Sequence, residues 1–143
     1  MLDLEKKLKK LQGKTIKVGV PASTAPYENG ISTAVIAAVH EYGSLTRNVP
    51  ARPFLRPGVA NAIPKINKLL QIKLPDFVEG SINADGVFTL VGEIARSEIV
   101  RMWDNNNWSP LKSKSAQKAV EKGNRQILLD TGHLKNSITY QVI

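Results

Sequence analysis

The chain has 143 residues, of which 42% are hydrophobic, and it contains no cysteine. This length allows one domain with a real core, and the lack of cysteine excludes disulfides, zinc ribbons and thiol catalysis. The net charge of +8 favours an anionic partner, either nucleic acid or an acidic protein face. No apolar run approaches the ~18 residues of a membrane span and no signal-peptide pattern is present, so we expect a cytoplasmic protein without a membrane partner.

The N-terminal part of the sequence predicts two helices and one strand. Leucines recur at helical spacing among lysines in residues 4–11, which predicts a short amphipathic helix. Residues 15–20 alternate and are rich in β-branched side chains, as in a strand. Ser32 or Thr33 is a suitable N-cap for a second helix, which we expect to stop at Gly43.

Residues 44–57 combine rigidity with apolar character. Prolines at positions 50, 53 and 57 fix φ and favour extended neighbours, so we expect a stiff, non-helical arm projecting from a single domain of residues 1–143. Aromatic and arginine side chains are enriched where partners bury each other. The candidate subunit or partner interface on this arm consists of Arg52, Phe54, Leu55 and Arg56. An intrachain contact, in which Phe54 fills its own core, fits these residue types equally well.

Beyond the arm, residues 59–70 follow the helical period with Pro64 inside, which predicts a kink or two helices meeting there. Residues 74–81 contain Pro75 and Gly80 and are predicted to be a loop. Asp85 is the expected N-cap of the strongest helix, whose apolar face runs from residue 87 to residue 102.

Glu98 falls near the middle of that apolar face. An unpaired buried carboxylate is costly, so Glu98 is either paired with Arg101 one turn later or reserved for a subunit contact. We therefore include Glu98 in the candidate interface.

The C-terminal part predicts a weak polar helix or ordered loop at residues 113–122, a helical turn through Leu134 and a strand at residues 137–143. Strands near the two ends of the sequence, with several helices between them, indicate an α+β fold. We expect a small, mostly antiparallel sheet packed with those helices.

Motifs for catalysis and metal binding fail on spacing. His40-Glu41 resembles the start of a zinc-protease helix, but the required second histidine would stand at position 44, which is serine. Asp130 and His133 form the one close acid–base pair, and an aspartate in a turn usually caps the next segment. We expect no enzyme, no catalytic residue, no metal and no cofactor. The lysines are not interleaved with aromatic residues, so DNA contact would be non-specific.

Two blocks of the sequence carry more specific motifs. The first is a small-residue helix that ends in His40, Glu41, Tyr42 and Gly43 and is followed by Val49-Pro50-Ala51-Arg52-Pro53-Phe54-Leu55-Arg56-Pro57. The second contains Trp108 and Pro110 and then Asp130, Thr131 and Gly132. In this order the blocks resemble those of tail-component and tail-completion proteins of tailed bacteriophages and prophages, a group that includes virion-morphogenesis proteins of Mu-like phages.

The resemblance implies a non-enzymatic structural protein of the phage tail or neck, with an α+β fold similar to that of tail-terminator proteins. It further implies a homo-oligomeric ring, expected to be a hexamer, at the head–tail junction or the tail end. Its partners would be other phage tail or neck proteins. It would occur in the host cytoplasm during assembly and then in the virion. A basic nucleic-acid-binding module and a head–neck adaptor remain as alternative functions.

Overall fold

The structure is a computed structural model that describes residues 2–26, 30–46, 49–104 and 133–143. Its elements in chain order are α1 (Leu2–Leu11), β1 (Ile16–Gly19), α2 (Thr33–Tyr42), α3 (Leu55–Glu79), α4 (Ala84–Asp104), α5 (His133–Asn136) and β2 (Thr139–Val142). The two strands pair antiparallel. The mixture of helices with a small antiparallel sheet agrees with the predicted α+β class.

The sheet is held against α4. Val18 lies opposite Tyr140 in the register, and both side chains are partly buried. The Tyr140 ring lies directly on Gly92 of α4, where any Cβ atom would overlap ring carbons. An isolated two-stranded sheet is marginally stable in water, so this packing on α4 is what supports the strands.

Helices α3 and α4 form the main packed pair. They approach so closely at Gly58 that a Cβ atom there would lie 2.6 Å from the Cα atom of Ile99. Next to this crossing, the fully buried rings of Phe54 and Trp103 meet edge to face with centroids 5.0 Å apart. The central core therefore joins the N-terminal end of α3 to the C-terminal half of α4.

The prolines of α3 do not interrupt it. The predicted loop at residues 74–81 is wrong, because the helix continues to Glu79, and one helix rather than two crosses Pro64. Pro64 and Pro75 both lie on the exposed side. The residues whose carbonyl groups lose their helical donors, Ala60 and Gln71, are exposed as well, so solvent is the available partner for those groups. The helix ends at Gly80, with φ at 89°.

The N-terminal cap of α4 also differs from the prediction. The amide of Gly86 donates to Oδ1 of Asn83 at 2.8 Å, so Asn83 is the capping residue. Asp85 instead lies in the first turn and forms an ion pair with Lys14 at 2.8 Å. A carboxylate in the first turn still interacts favourably with the helix dipole.

Candidate functional site

The carboxylate of Glu41, near the end of α2, binds the first turn of α3. Oε2 accepts hydrogen bonds from the amides of Phe54 at 2.8 Å and Leu55 at 2.9 Å. Oε1 accepts from the amide of Arg56 at 3.1 Å and from its Nε at 2.8 Å. Helix N-termini leave such amides without intrahelical partners and attract negative charge. Glu41 therefore fixes the direction in which α3 leaves α2.

Glu41 is 2% exposed, and its protonation reflects two opposed effects. Burial by itself raises the pKa of a carboxyl group. The hydrogen bonds from the Arg56 side chain and from the three amides outweigh burial, so the pKa of Glu41 lies below its usual value. The carboxylate is consequently ionised at neutral pH.

Within the predicted arm, residues 49–54 lie against the protein, and residues 55–57, which were expected to be non-helical, form the start of α3. The amide of Arg52 donates to the carbonyl of His40 at 2.6 Å, and Arg52 is 9% exposed. Phe54 is 0% exposed within its own chain. The predicted interface role of Arg52 and Phe54 is therefore wrong, and the intrachain alternative is the observed one. The physical reason is that Glu41 holds the α3 N-terminus where the Phe54 ring reaches Trp103.

The other predicted residues of this segment support the same arrangement. Leu55 is partly buried and packs against the core. Gly43 has φ at 75°, and a Cβ atom there would lie 2.8 Å from the amide nitrogen of Ala51. Burial, and then the charge of Arg52, lower the pKa of His40 to about 4, so its ring is neutral at pH 7. The residues of this block thus pack tightly around the start of α3.

The buried Glu98 has partners within the chain. It is 5% exposed and forms ion pairs with Lys65 of α3 and, at 3.5 Å, with Arg101 one turn later. The predicted pairing with Arg101 is therefore present, and Lys65 is an additional partner that the sequence did not indicate. With two cations beside it, Glu98 does not need a partner from another subunit.

Five predicted motif residues, Trp108, Pro110, Asp130, Thr131 and Gly132, lie outside the described residues. The histidine that follows them is described. Nε2 of His133 lies within hydrogen-bond distance of the Ala25 carbonyl, at 2.9 Å, and of the Thr33 hydroxyl, at 3.0 Å. These contacts attach α5 to the start of α2, which is a structural role.

The outward face of α2 is apolar, and sequence analysis did not identify it as exposed. Val35 is 55% exposed and Tyr42 is 69% exposed. The inward face carries the buried polar side chains of Thr33 and Glu41 together with Ala37, which lies in the core, and Ile36, which packs against it. Surface helices normally carry polar side chains on the outward face, so the exposed Val35 and Tyr42 depart from that pattern. The apolar periodicity of α2 predicted a core-facing stripe, whereas part of that stripe faces water.

Tyr42 of this face and the exposed side chains of Leu45 and Arg56 make up a surface that we call the knob. The Arg56 guanidinium lies 5.0 Å from the centre of the Tyr42 ring, and its side chain is 65% exposed. Leu45 is fully exposed, at 101%. Of the predicted interface residues, Arg56 thus remains at the surface.

A groove of about 360 Å³ lies between α3 and α4, and we call it the α3–α4 groove. Its apolar part is formed by the partly buried side chains of Leu69, Leu90 and Ile94. Polar side chains surround that part, and they are Lys65, Glu93, Ser97 and Glu98. A second pocket of similar volume lies beside the sheet and includes Leu55 and Tyr140.

The described part of the chain contains no group of three His, Cys, Asp or Glu side chains positioned to hold a metal ion. No helix within the described ranges is both long and apolar enough to cross a membrane. The features that stand out are therefore the knob, the apolar face of α2 and the α3–α4 groove. Comparison with known proteins found no matching family model, no matching curated protein and no matching solved structure.

Proposed function

We propose that this protein is a structural subunit of the tail or neck of a tailed bacteriophage or prophage. It acts by assembly into a ring at the head–tail junction or the tail end, without catalysis. The observation that carries this proposal is the apolar outward face of α2, on which Val35 and Tyr42 are exposed. Such a face is stabilised by burial against another protein, at about 25 cal/mol for each Å² removed from water.

The resemblance to tail-completion proteins supports the same proposal through residues that the structure describes. The first block of that resemblance folds into one unit, in which Glu41 fixes the start of α3 and displays Tyr42 and Arg56 at the surface. An assembly protein needs surface side chains held in one position, because ordering them on binding would weaken association. We also propose that the α+β fold is a small variant of the tail-terminator fold.

The charge of the chain sets a condition on assembly. Each subunit carries +8, so several copies in a ring repel one another unless ion pairs across the contacts or an anionic partner offset the charge. Neighbouring tail or neck proteins, or DNA passing through the ring, would supply negative charge. A head–neck adaptor would meet the same condition.

Sedimentation velocity and negative-stain microscopy of the purified chain, alone and with the tail and neck proteins encoded beside it, test the proposal. A closed ring of uniform size is expected, with six subunits as the expected number. A chain that stays monomeric under all these conditions would refute it. If that monomer binds duplex DNA with an affinity that falls steeply with salt, the basic nucleic-acid-binding module is correct instead.

A further inference from the structure

We infer that the knob of one subunit inserts into the α3–α4 groove of the next copy of the same chain, with Arg56 facing Glu93. This inference rests on the proposed ring and identifies the two surfaces that build it. A ring requires two different patches on each subunit, because every contact joins one patch to the other. The knob and the groove supply such a pair.

The Tyr42 and Arg56 side chains of the knob are held in place by contacts within the chain, whereas the Leu45 side chain is fully exposed. Leu45 lies in a turn whose base is closed by two backbone hydrogen bonds between Ser44 and Val49, of 2.8 and 2.9 Å. The Tyr42 ring is covered on one side by Arg56, which Glu41 holds in turn. Tyrosine and arginine dominate the binding energy of many interfaces. The fully exposed Leu45 follows Tyr42 by three residues, and its side chain would be removed from water in an apolar pocket.

The groove has the complementary chemistry. Its volume of about 360 Å³ is within the range of pockets that admit a substantial group, and Leu69, Leu90 and Ile94 give it an apolar surface. Glu93 at its edge is exposed and forms no ion pair with any described residue. An apolar pocket with an unpaired carboxylate at its edge suits a partner that brings an apolar side chain next to a cation.

Charge complementarity follows from the state of Arg56. Its Nε is bound to Glu41, while much of the rest of the side chain faces solvent. The hydrogen bond to Glu41 raises the pKa of Arg56, so this cation is permanent. A pair between Arg56 and Glu93 at the edge of a contact adds little affinity by itself, but it sets the orientation in which two subunits meet.

The positions of the two surfaces on α3 favour head-to-tail contacts over a twofold dimer. Arg56 and Lys65 are nine residues apart, so at 3.6 residues per turn they lie on opposite sides of the helix and about 14 Å apart along it. A knob on one side of α3 does not reach a groove on the other side of the same helix. Two subunits related by a twofold axis would need both surfaces on one side. Head-to-tail contacts therefore result.

The apolar face of α2 enlarges this contact. Ile31 and Val35, which are 39% and 55% exposed, extend the knob along the helix. Together with Tyr42 and Leu45 they make four large apolar side chains that are more than a third exposed. Contiguous exposed apolar surface of this kind marks interaction sites.

Mixing two variants tests the inference. The knob variant is Leu45→Asp and the groove variant is Glu93→Arg combined with Ser97→Arg, all at exposed positions. Matched controls are Ile143→Asp for the exposed apolar side chain and Glu79→Arg for the charge change, since both residues are exposed and outside the two surfaces. We expect each interface variant to associate at least tenfold more weakly than wild type and to form no ring, while both controls form it.

An equimolar mixture of the two variants should then give heterodimers and nothing larger. The groove variant keeps a working knob and the knob variant keeps a working groove, so one contact forms and the chain of contacts ends there. If the wild type and both interface variants all form rings, the contact lies elsewhere, and this inference alone is refuted. Variants that do not form rings and also do not form heterodimers would refute the head-to-tail pairing. A wild-type chain that forms no ring in any of the mixtures tested above refutes the proposed function itself.

Cross-linking gives an independent test, because the chain has no cysteine of its own. Oxidation of a Leu45→Cys/Glu93→Cys double variant should give a ladder of disulfide-linked oligomers that ends at the ring size. The bond requires Cα atoms within about 7 Å of each other, so it reports direct contact. A Leu45→Cys/Gln12→Cys variant serves as the control and should give no such ladder. Two outcomes would refute the contact. One is that both double variants give the same ladder, and the other is that the Leu45→Cys/Glu93→Cys variant forms rings but gives no ladder.

Discussion

Replacing Glu41 with alanine should destabilise the protein by about 4 kcal/mol. The substitution removes the acceptor of three amides, of which that of Phe54 is buried and that of Leu55 is partly buried. A buried donor left without a partner costs about 1–3 kcal/mol, and loss of the charge at the helix N-terminus adds to this. The exposed Arg56 side chain contributes little, because water replaces its lost partner.

Urea unfolding followed by circular dichroism, at one protein concentration for all variants, measures this effect. A domain of this size has about 5–15 kcal/mol of stability in total, so the midpoint should move far toward lower urea at an unchanged slope. Glu79→Ala is the control, since Glu79 is an exposed glutamate on α3, and its effect should stay within about 0.5 kcal/mol. A loss below about 1 kcal/mol for Glu41→Ala would show that water satisfies these amides and that the carboxylate does not hold the segment.

The effect of Glu41→Ala should depend on pH. Because the folded protein lowers the pKa of Glu41, the stabilisation by its ionised carboxylate is fully present above 4.5, the pKa in the unfolded chain. It is lost as the pH falls through the lower pKa of the folded state. Wild type and Glu41→Ala should therefore converge in stability below pH 4.5. A constant difference between them down to the acid-unfolding limit would contradict an ionised Glu41 in the folded state.

Three further predictions follow from the core. The folded protein lowers the pKa of His40 from 6.5 to about 4, so the free energy of unfolding should fall by about 2 kcal/mol as the pH decreases from 7 to 5. His40→Gln should remove most of this pH dependence, and an equal pH dependence in the variant would contradict the prediction. Gly58→Ala should destabilise the protein by about 2–3 kcal/mol in thermal unfolding, because the new methyl group meets the backbone of Ile99, whereas Gly86→Ala meets only the side chains of Ile82 and Asn83 and should cost less. Phe54→Ala should lower the stability of the monomer by about 3–5 kcal/mol, and a folded monomer that has only lost assembly would contradict the buried position.

The sequence by itself determined much of the secondary structure. The leucine spacing in residues 4–11, the alternation near both ends and the apolar face of residues 87–102 each predicted the element that forms. These patterns are local, since a helix or strand places its own residues on one face with a period of 3.6 or 2. The strands near the two ends of the chain also pair antiparallel, as expected for the α+β class.

The helix through Pro64 and Pro75 could not be predicted from such patterns. Proline removes a helical donor, and the loss is tolerated best where the freed carbonyl group lies on an exposed side of the helix, as at Pro64 and Pro75. Whether a carbonyl faces water depends on how α3 lies on α4, which the local sequence does not contain. The cap at Asn83 was likewise missed because Asp85, two residues later, is an equally suitable residue type.

Only the tertiary structure decided the roles of the residues in the candidate site. Glu41 binds backbone amides 13 to 15 residues further along the chain, and amides carry no side-chain signal in a sequence. With these hydrogen bonds in place, the Phe54 ring packs on Trp103 in the core, while Tyr42 and Arg56 lie at the surface. Periodicity shows that a helix has an apolar face, but it does not show whether that face is covered by the same chain. The exposure of this face of α2 depends on which distant segments pack against the helix, and only the tertiary structure contains that information.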